Sequence, residues 1–174
     1  EQEMKLTYVR FENLMKASNL TNTASFWGSV RVLNFPCNDN DEHRDIDLDT
    51  ILAKDLPPRA MYLRCNRLKV QTTQKQERNP QEPNKVIMRN YQQMEADGQV
   101  AVRAREFNAQ ADQMTFNEEK DQVIFIGIGD RLAVFEKRSV KGQPAQSLRA
   151  RKIFYIRSTG KAWADEVNSI QQGN

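Results

Sequence analysis

The chain has 174 residues, with 26 Lys and Arg against 23 Asp and Glu, and apolar residues make up 39% of it. That length suits one domain, or one and a fraction, with a core that is thin or elongated for its size. No apolar run approaches the ~20 residues a membrane-spanning helix needs, and a net charge of +3 is too mild to nominate a nucleic-acid partner by itself. The chain opens at Glu1 with neither methionine nor a signal-like stretch, as expected of a mature or excised piece.

In chain order, Met4 to Ala17 alternates loosely and predicts two short strands, with Leu6 and Tyr8 on one face and Phe11 nearby. Ser18 to Thr23 is turn chemistry. Phe26 to Phe35 predicts a strand with Val30 and Val32 pointing one way and Arg31 the other. An acidic insertion, Asn38 to Asp49, leads to Ile51–Leu56, a short helix or a loop that Pro57 and Pro58 end. Met61 to Gln71 predicts a bent strand. Thr72 to Asn84, rich in Gln, Pro and Arg and without an apolar anchor, predicts an exposed, mobile loop. Val86 to Met94 resumes the sheet, and strands follow over 99–105, 107–116, 122–128, 131–138 and 147–157. Turns fall at Glu118–Asp121 and Lys141–Pro144. Apart from a weak helical period near the C-terminal end, the pattern is antiparallel all-β.

One phrase recurs three times: Leu63-x-Cys65-Asn66-Arg67-Leu68-x-Val70, Ala109-x-Ala111-Asp112-Gln113-Met114-x-Phe116 and Leu148-x-Ala150-Arg151-Lys152-Ile153-x-Tyr155. Each copy alternates, inserts two polar residues and alternates again. The inserted residue flips the buried parity, which a strand absorbs through a bulge or sharp bend. A second phrase, Gly-x-Val-x-Val, occurs at Gly28–Val32 and Gly98–Val102, where glycine suits a tight turn or bulge opening a strand. Recurring bent strands imply a repeat-built β structure that binds along its interior or its edges.

Catalytic and metal chemistry find little support. The one histidine, His43, lies in the acidic stretch, with no second ligand at zinc spacing. Asp45, Asp47 and Asp49 alternate, but the sixth position is Thr50 rather than glycine and Leu56 stands where a calcium loop needs glutamate. Glu118 and Glu119 are adjacent in a turn and cannot face each other as an acid and base. Gly127-Ile128-Gly129 leads into strand rather than a helix, so it is no dinucleotide loop. No cofactor, metal or catalytic residue is expected. Cys65 fills the slot that Ala111 and Ala150 take in the other copies, which favours a buried free thiol over a bridge to Cys37. Basic clusters at Arg64, Arg67, Lys69, Lys75 and Arg78, and at Arg149, Arg151, Lys152 and Arg157, either meet phosphates or solvate strand faces. The second reading is preferred because acids balance most of the charge.

The stretch ADGQVAVRAREFNAQADQMTFNEEKDQVIFIG (Ala96 to Gly127) resembles the OstA-like family, the β-jellyroll or "β-taco" domains of lipopolysaccharide transport. The match runs through Gly98, Val100, Val102, Ala109, Ala111, Asp112, Met114 and Phe116, and Leu148 to Lys161 looks like the next turn of the pattern. It covers residues 96–161 well, and 1–95 only through the two phrases. The insertions at 38–60 and 72–84 depart from a compact member, and Trp163 to Asn174 looks like the start of a further repeat that has been cut off. The resemblance implies an antiparallel, V-shaped jellyroll over 1–162, incomplete at its C-terminal end, with 163–174 a further repeat or tail.

It further implies a non-enzymatic periplasmic or envelope protein that binds or bridges lipopolysaccharide-like lipid. The inward residues would be Val30, Val32, Leu68, Val100, Val102, Phe107, Met114, Phe116, Phe125, Leu132, Val134, Leu148, Ile153 and Tyr155. Arg103, Arg105, Arg149 and Arg151 would hold headgroup phosphates at the groove mouth. Other OstA-like modules would join through exposed strands near Leu6 to Phe11 and Lys152 to Arg157. Two alternatives remain: a structural or protein-interaction module with a filled core, and a single-strand nucleic-acid binder. Aromatics at 8% that do not interleave with the arginines make the last unlike a stacking platform.

Overall fold

The computed structural model describes residues 5–36, 56, 60–82, 84–139 and 145–167. Its elements are β1 (Lys5–Arg10), β2 (Leu14–Ser18), β3 (Thr23–Pro36), β4 (Met61–Arg78), β5 (Val86–Ala104), β6 (Phe107–Asn117), β7 (Gln122–Ile126), β8 (Ala133–Lys137), β9 (Gln146–Ile156) and β10 (Lys161–Val167). They form one sheet ordered β1-β3-β4-β5-β6-β7-β9-β10, with β2 also on β3 and β8 bridging β6 and β9. The described pairings are all antiparallel. The antiparallel all-β class expected from the sequence is the one present.

A single crease turns this sheet into a V. Between β3 and β4 the register runs Trp27↔Arg67 and then Val30↔Cys65, three steps against two. Between β5 and β6 it runs Asp97↔Gln113 and then Val100↔Ala111, again three against two. At each bulge a doublet, Gly28-Ser29 or Gly98-Gln99, stands opposite a single residue, Asn66 or Asp112, and all four doublet residues are left-handed with φ of 84°, 43°, 77° and 51°. Two successive left-handed residues swing the strand sharply, and glycine at the first keeps the strain small. The glycines also make room: a Cβ on Gly98 would lie 2.7 Å from Asn66 Nδ2, and one on Gly28 would lie 2.5 Å from Asn13 Cγ. An Asn side chain of one level thus sits against a glycine of the next. At the following corner Asp112 accepts the Ile128 amide at 2.7 Å and pairs with Arg131 at 2.9 Å. The inserted polar residues of the repeated phrase are this crease. The Gly-x-Val-x-Val glycines stand in mid-strand at the bend rather than opening strands.

On either side of the crease the inward parity holds. Leu63 and Cys65 face in from one wall and Leu68 from the other; Leu148 and Ala150 do so from one, Ile153 and Tyr155 from the other. These side chains meet in one buried cluster. Burial alone supplies roughly 1.5–3 kcal/mol for each large aliphatic or aromatic side chain. Cys65 is a buried free thiol, and burial, with Asp97 adding and the Arg67 backbone opposing, pushes it up to about 12. Leu33, Leu56 and Ala60 form a small separate cluster with Tyr8, Phe35 and Tyr62, on the strand face opposite Val30 and Val32. Cys37, His43, Asp45, Asp47, Asp49 and the remainder of Ile51–Leu56 lie outside the described residues.

Thr72 to Arg78, expected as a mobile loop, is strand. β4 runs on to Arg78 and pairs with β5 from Thr72↔Gln92 to Arg78↔Val86. Past the stack this two-stranded arm projects about 24 Å at about 3.4 Å per residue. It needs no apolar anchor because its strands satisfy each other's backbone. Lys75 pairs with Glu119 at 2.6 Å, Glu77 accepts from Tyr91 and Arg89, and the Asn79 amide donates to Lys85 O at 2.8 Å. Lys152 to Arg157 is not a free edge: β9 is covered by β7 on one side and β10 on the other. The edges of the described sheet are β1 with β2, and β10, which contains Trp163.

Candidate functional site

The V encloses two different interiors. Toward the C-terminal end its depth is filled. Phe107 and Phe135 stack with centroids 5.0 Å apart, Tyr155 crosses from the other wall to 4.6 Å from Phe107 and 5.3 Å from Phe135, and Phe125 lies 6.2 Å from Phe135. Four rings from both walls form an aromatic plug. Toward the N-terminal end the walls leave a cavity of about 230 Å³, lined by Thr7, Val9, Ala24, Phe26, Val32, Asn34, Met61, Leu63, Leu68, Val70, Gln92, Met94, Phe116, Glu118 and Arg157. Small side chains such as Ala24 leave space where the plug has rings.

Polarity along this slot follows from register. Continuing each inward row two residues toward the open side gives Val9 to Thr7, Val32 to Asn34, Met94 to Gln92, Phe116 to Glu118 and Tyr155 to Arg157. Five rows change from apolar to polar at the same level, so the slot is apolar within and polar at its lip. Beside the lip a wider mouth of about 580 Å³ opens over the outer side of the plug, lined by Phe107, Tyr155, Glu106, Asp121, Lys137 and Arg157 among others. Arg157, Asn34 and Met61 belong to both spaces.

The groups at the lip are held in place. The Arg157 guanidinium carbon lies 5.1 Å from the Phe116 ring centroid. Asp121 accepts the Ser158 amide at 2.6 Å through its carboxylate and the Arg157 amide at 3.1 Å through its carbonyl. Glu118 accepts the Gln92 amide at 2.8 Å, and Lys137 donates to Gly160 O at 2.9 Å. Burial, with Glu106 and Asp121 adding and Arg157 opposing, raises the Tyr155 phenol above its ordinary value. Among the described residues no group of three metal-ligating side chains converges.

Of the fourteen residues expected inside, Val30, Val32, Leu68, Val100, Val102, Phe107, Met114, Phe116, Phe125, Leu148, Ile153 and Tyr155 lie in the buried cluster. Leu132 and Val134 do not. The β8 register turns Ala133 and Phe135 inward, leaving Val134 beside Gln110 and Arg149 on the outer face, with Leu132 in the corner loop. The expected headgroup arginines are also displaced from the mouth. Arg103 and Arg149 alternate with buried Val102, Ala104, Leu148 and Ala150 and so face outward, and Arg151 sits at the crease. Arg105 is exposed in the turn after β5. Arg157 stands at the lip instead, and its signal was the inward parity of Ile153 and Tyr155 carried one step further. Ala24, Phe26, Met61, Leu63, Val70 and Met94 also line the slot, readable from the same parity.

Among solved structures, the chain is similar to LptH, the LptA homologous periplasmic component of the conserved lipopolysaccharide transport device from Pseudomonas aeruginosa. That likeness has 12% identity and a TM-score of 0.46 over 95% of this chain and 90% of that chain. No protein-family model matches the chain, and no curated protein matches it.

Proposed function

We propose that this chain is a non-catalytic envelope module that holds the acyl part of an amphipathic, lipopolysaccharide-like lipid in the N-terminal half of its V, in the periplasm. The observation that carries this reading is the 230 Å³ apolar slot with its polar lip. An acyl tail in the slot gains about 0.8 kcal/mol for each methylene removed from water. The lip keeps a polar head wet. The interior candidates serve unequal parts: Val32, Leu68 and Phe116 border the slot, whereas Phe125 and Ile153 are wholly buried and hold the plug and walls together.

The same reading includes module stacking by strand addition at the two edges. Trp163 on β10 stacks on Phe154 at 5.2 Å and 8° and stays 37% exposed. Leu14 on β2 lies opposite Trp27 and is 57% exposed. An exposed apolar side chain on each edge strand suits edge-to-edge pairing with another such module. The Leu14→Asp variant should weaken concentration-dependent assembly in sedimentation; unchanged assembly argues against these edges.

Native mass spectrometry of the protein purified from a lipopolysaccharide-containing host tests the lipid reading. A lipid-sized adduct lost on denaturation supports it. A clean apo mass favours the structural-module alternative, which the aromatic plug in the C-terminal half recommends.

A further inference from the structure

Volume and charge at the slot narrow the kind of lipid. A cavity of about 230 Å³ holds roughly eight groups of about 30 Å³, the share of a liquid water and close to that of a methylene. One tail segment of that length fills it, and a second chain finds no room. The chain must leave past Asn34, Met61 and Arg157, the residues common to slot and mouth. The acids near that exit keep their charge but Glu118 and Asp121 are turned to backbone partners: Glu118 takes the Gln92 amide and Asp121 the Ser158 amide, while Glu106 lines the wider mouth with Lys137, which donates to Gly160 O. Arg157 lies against Phe116 and makes no ion pair among the described residues. Its fixed fork of donors suits a carboxylate or phosphate.

Resting on the lipid reading above, we infer that the slot takes one acyl tail of an anionic amphiphile at a time, with the anionic head at Arg157. Tail length and head charge then act separately. Each methylene up to roughly eight in the slot should raise affinity about fourfold, and further carbons, lying in the open mouth, should add little.

Calorimetric titration of the whole chain with dodecanoate, dodecyl phosphate, methyl dodecanoate and vesicles of a diacyl phosphatidylglycerol tests this, alongside Arg157→Gln. The Arg157→Gln melting curve serves as the folding control, because the side chain is only half-buried. The expected result is one site for either anion, with the ester at least tenfold weaker and Arg157→Gln losing the preference for charge. Equal binding of acid and ester, or an unchanged Arg157→Gln preference, overturns the role of Arg157 and leaves the lipid reading standing. Binding of the diacyl lipid alone overturns the one-tail inference and again leaves lipid binding intact. If none of these amphiphiles binds, this inference falls, and the native mass measurement alone decides the lipid reading.

Discussion

Filling the slot from inside should move stability and ligand affinity in opposite directions. Ala24 lines it and pairs with Ala17 on one side and Val70 on the other. Ala24→Leu adds three carbons, which at roughly the 30 Å³ of a liquid water each occupy about 90 Å³, well within the 230 Å³ available. At about 24 cal/mol per Å³ of cavity removed, the fold gains up to ~2 kcal/mol. An acyl tail loses the same three places, about 2.4 kcal/mol at 0.8 per methylene, or roughly fiftyfold in affinity. Urea denaturation reads the first quantity and dodecanoate titration the second. A loss of more than about 1 kcal/mol would mean overpacking and no real space. A gain in stability with unchanged affinity would place the ligand elsewhere.

Other parts of the account make separate predictions. Phe125→Ala should cost about 3–5 kcal/mol in denaturation while leaving ligand affinity per folded molecule intact, because Phe125 is in the plug and does not line the slot. Gly98→Ala should cost roughly 1–2 kcal/mol for its left-handed backbone, and more for crowding Asn66. Gly129→Ala, left-handed with nothing within 4 Å of its added Cβ, should show the backbone cost alone, and equal costs would refute the packed crease. The Cys65 thiol is raised from 9.0 to about 12, so the folded state holds its proton more tightly than the unfolded state. Its contribution is therefore intact below pH 9 and is lost as pH rises toward 12. Between pH 8 and pH 10 the protein should lose ~1.4 kcal/mol that Cys65→Ala does not lose; parallel pH profiles would show that the thiol is not held this way.

Much of the fold was legible because its signal is periodic. The flipped parity around Asn66-Arg67, Asp112-Gln113 and Arg151-Lys152 predicted the crease, and the alternation on either side predicted most of the interior. Where composition and parity conflict, parity decides. Leu132 and Val134 are more apolar than Ala133, yet Phe135 fixes the β8 register and turns Ala133 inward with it. Arg103 and Arg149 are basic and near the groove in sequence, but each alternates with buried neighbours and must point out. The arm was not legible because an isolated two-stranded ribbon needs no buried face, so the polar Thr72–Arg78 stretch carries no hydrophobic period. Nor was the slot itself, since its size depends on how far two walls stand apart over small residues such as Ala24. The change from apolar to polar along five inward rows was visible only once their common level was known.

The central claim, that an acyl chain lies between the walls at the N-terminal half, can be read from the methionine methyls. The chain has six methionines, of which Met61 and Met94 line the slot, Met114 is buried outside its lining, and Met88 stands 58% exposed on the arm. With ¹³C-methyl methionine and dodecanoate, the Met61 and Met94 signals should shift together and saturate while Met88 stays fixed. Saturable shifts confined to Met88 or Met15, or none at Met61 and Met94 under saturating ligand, would contradict the account.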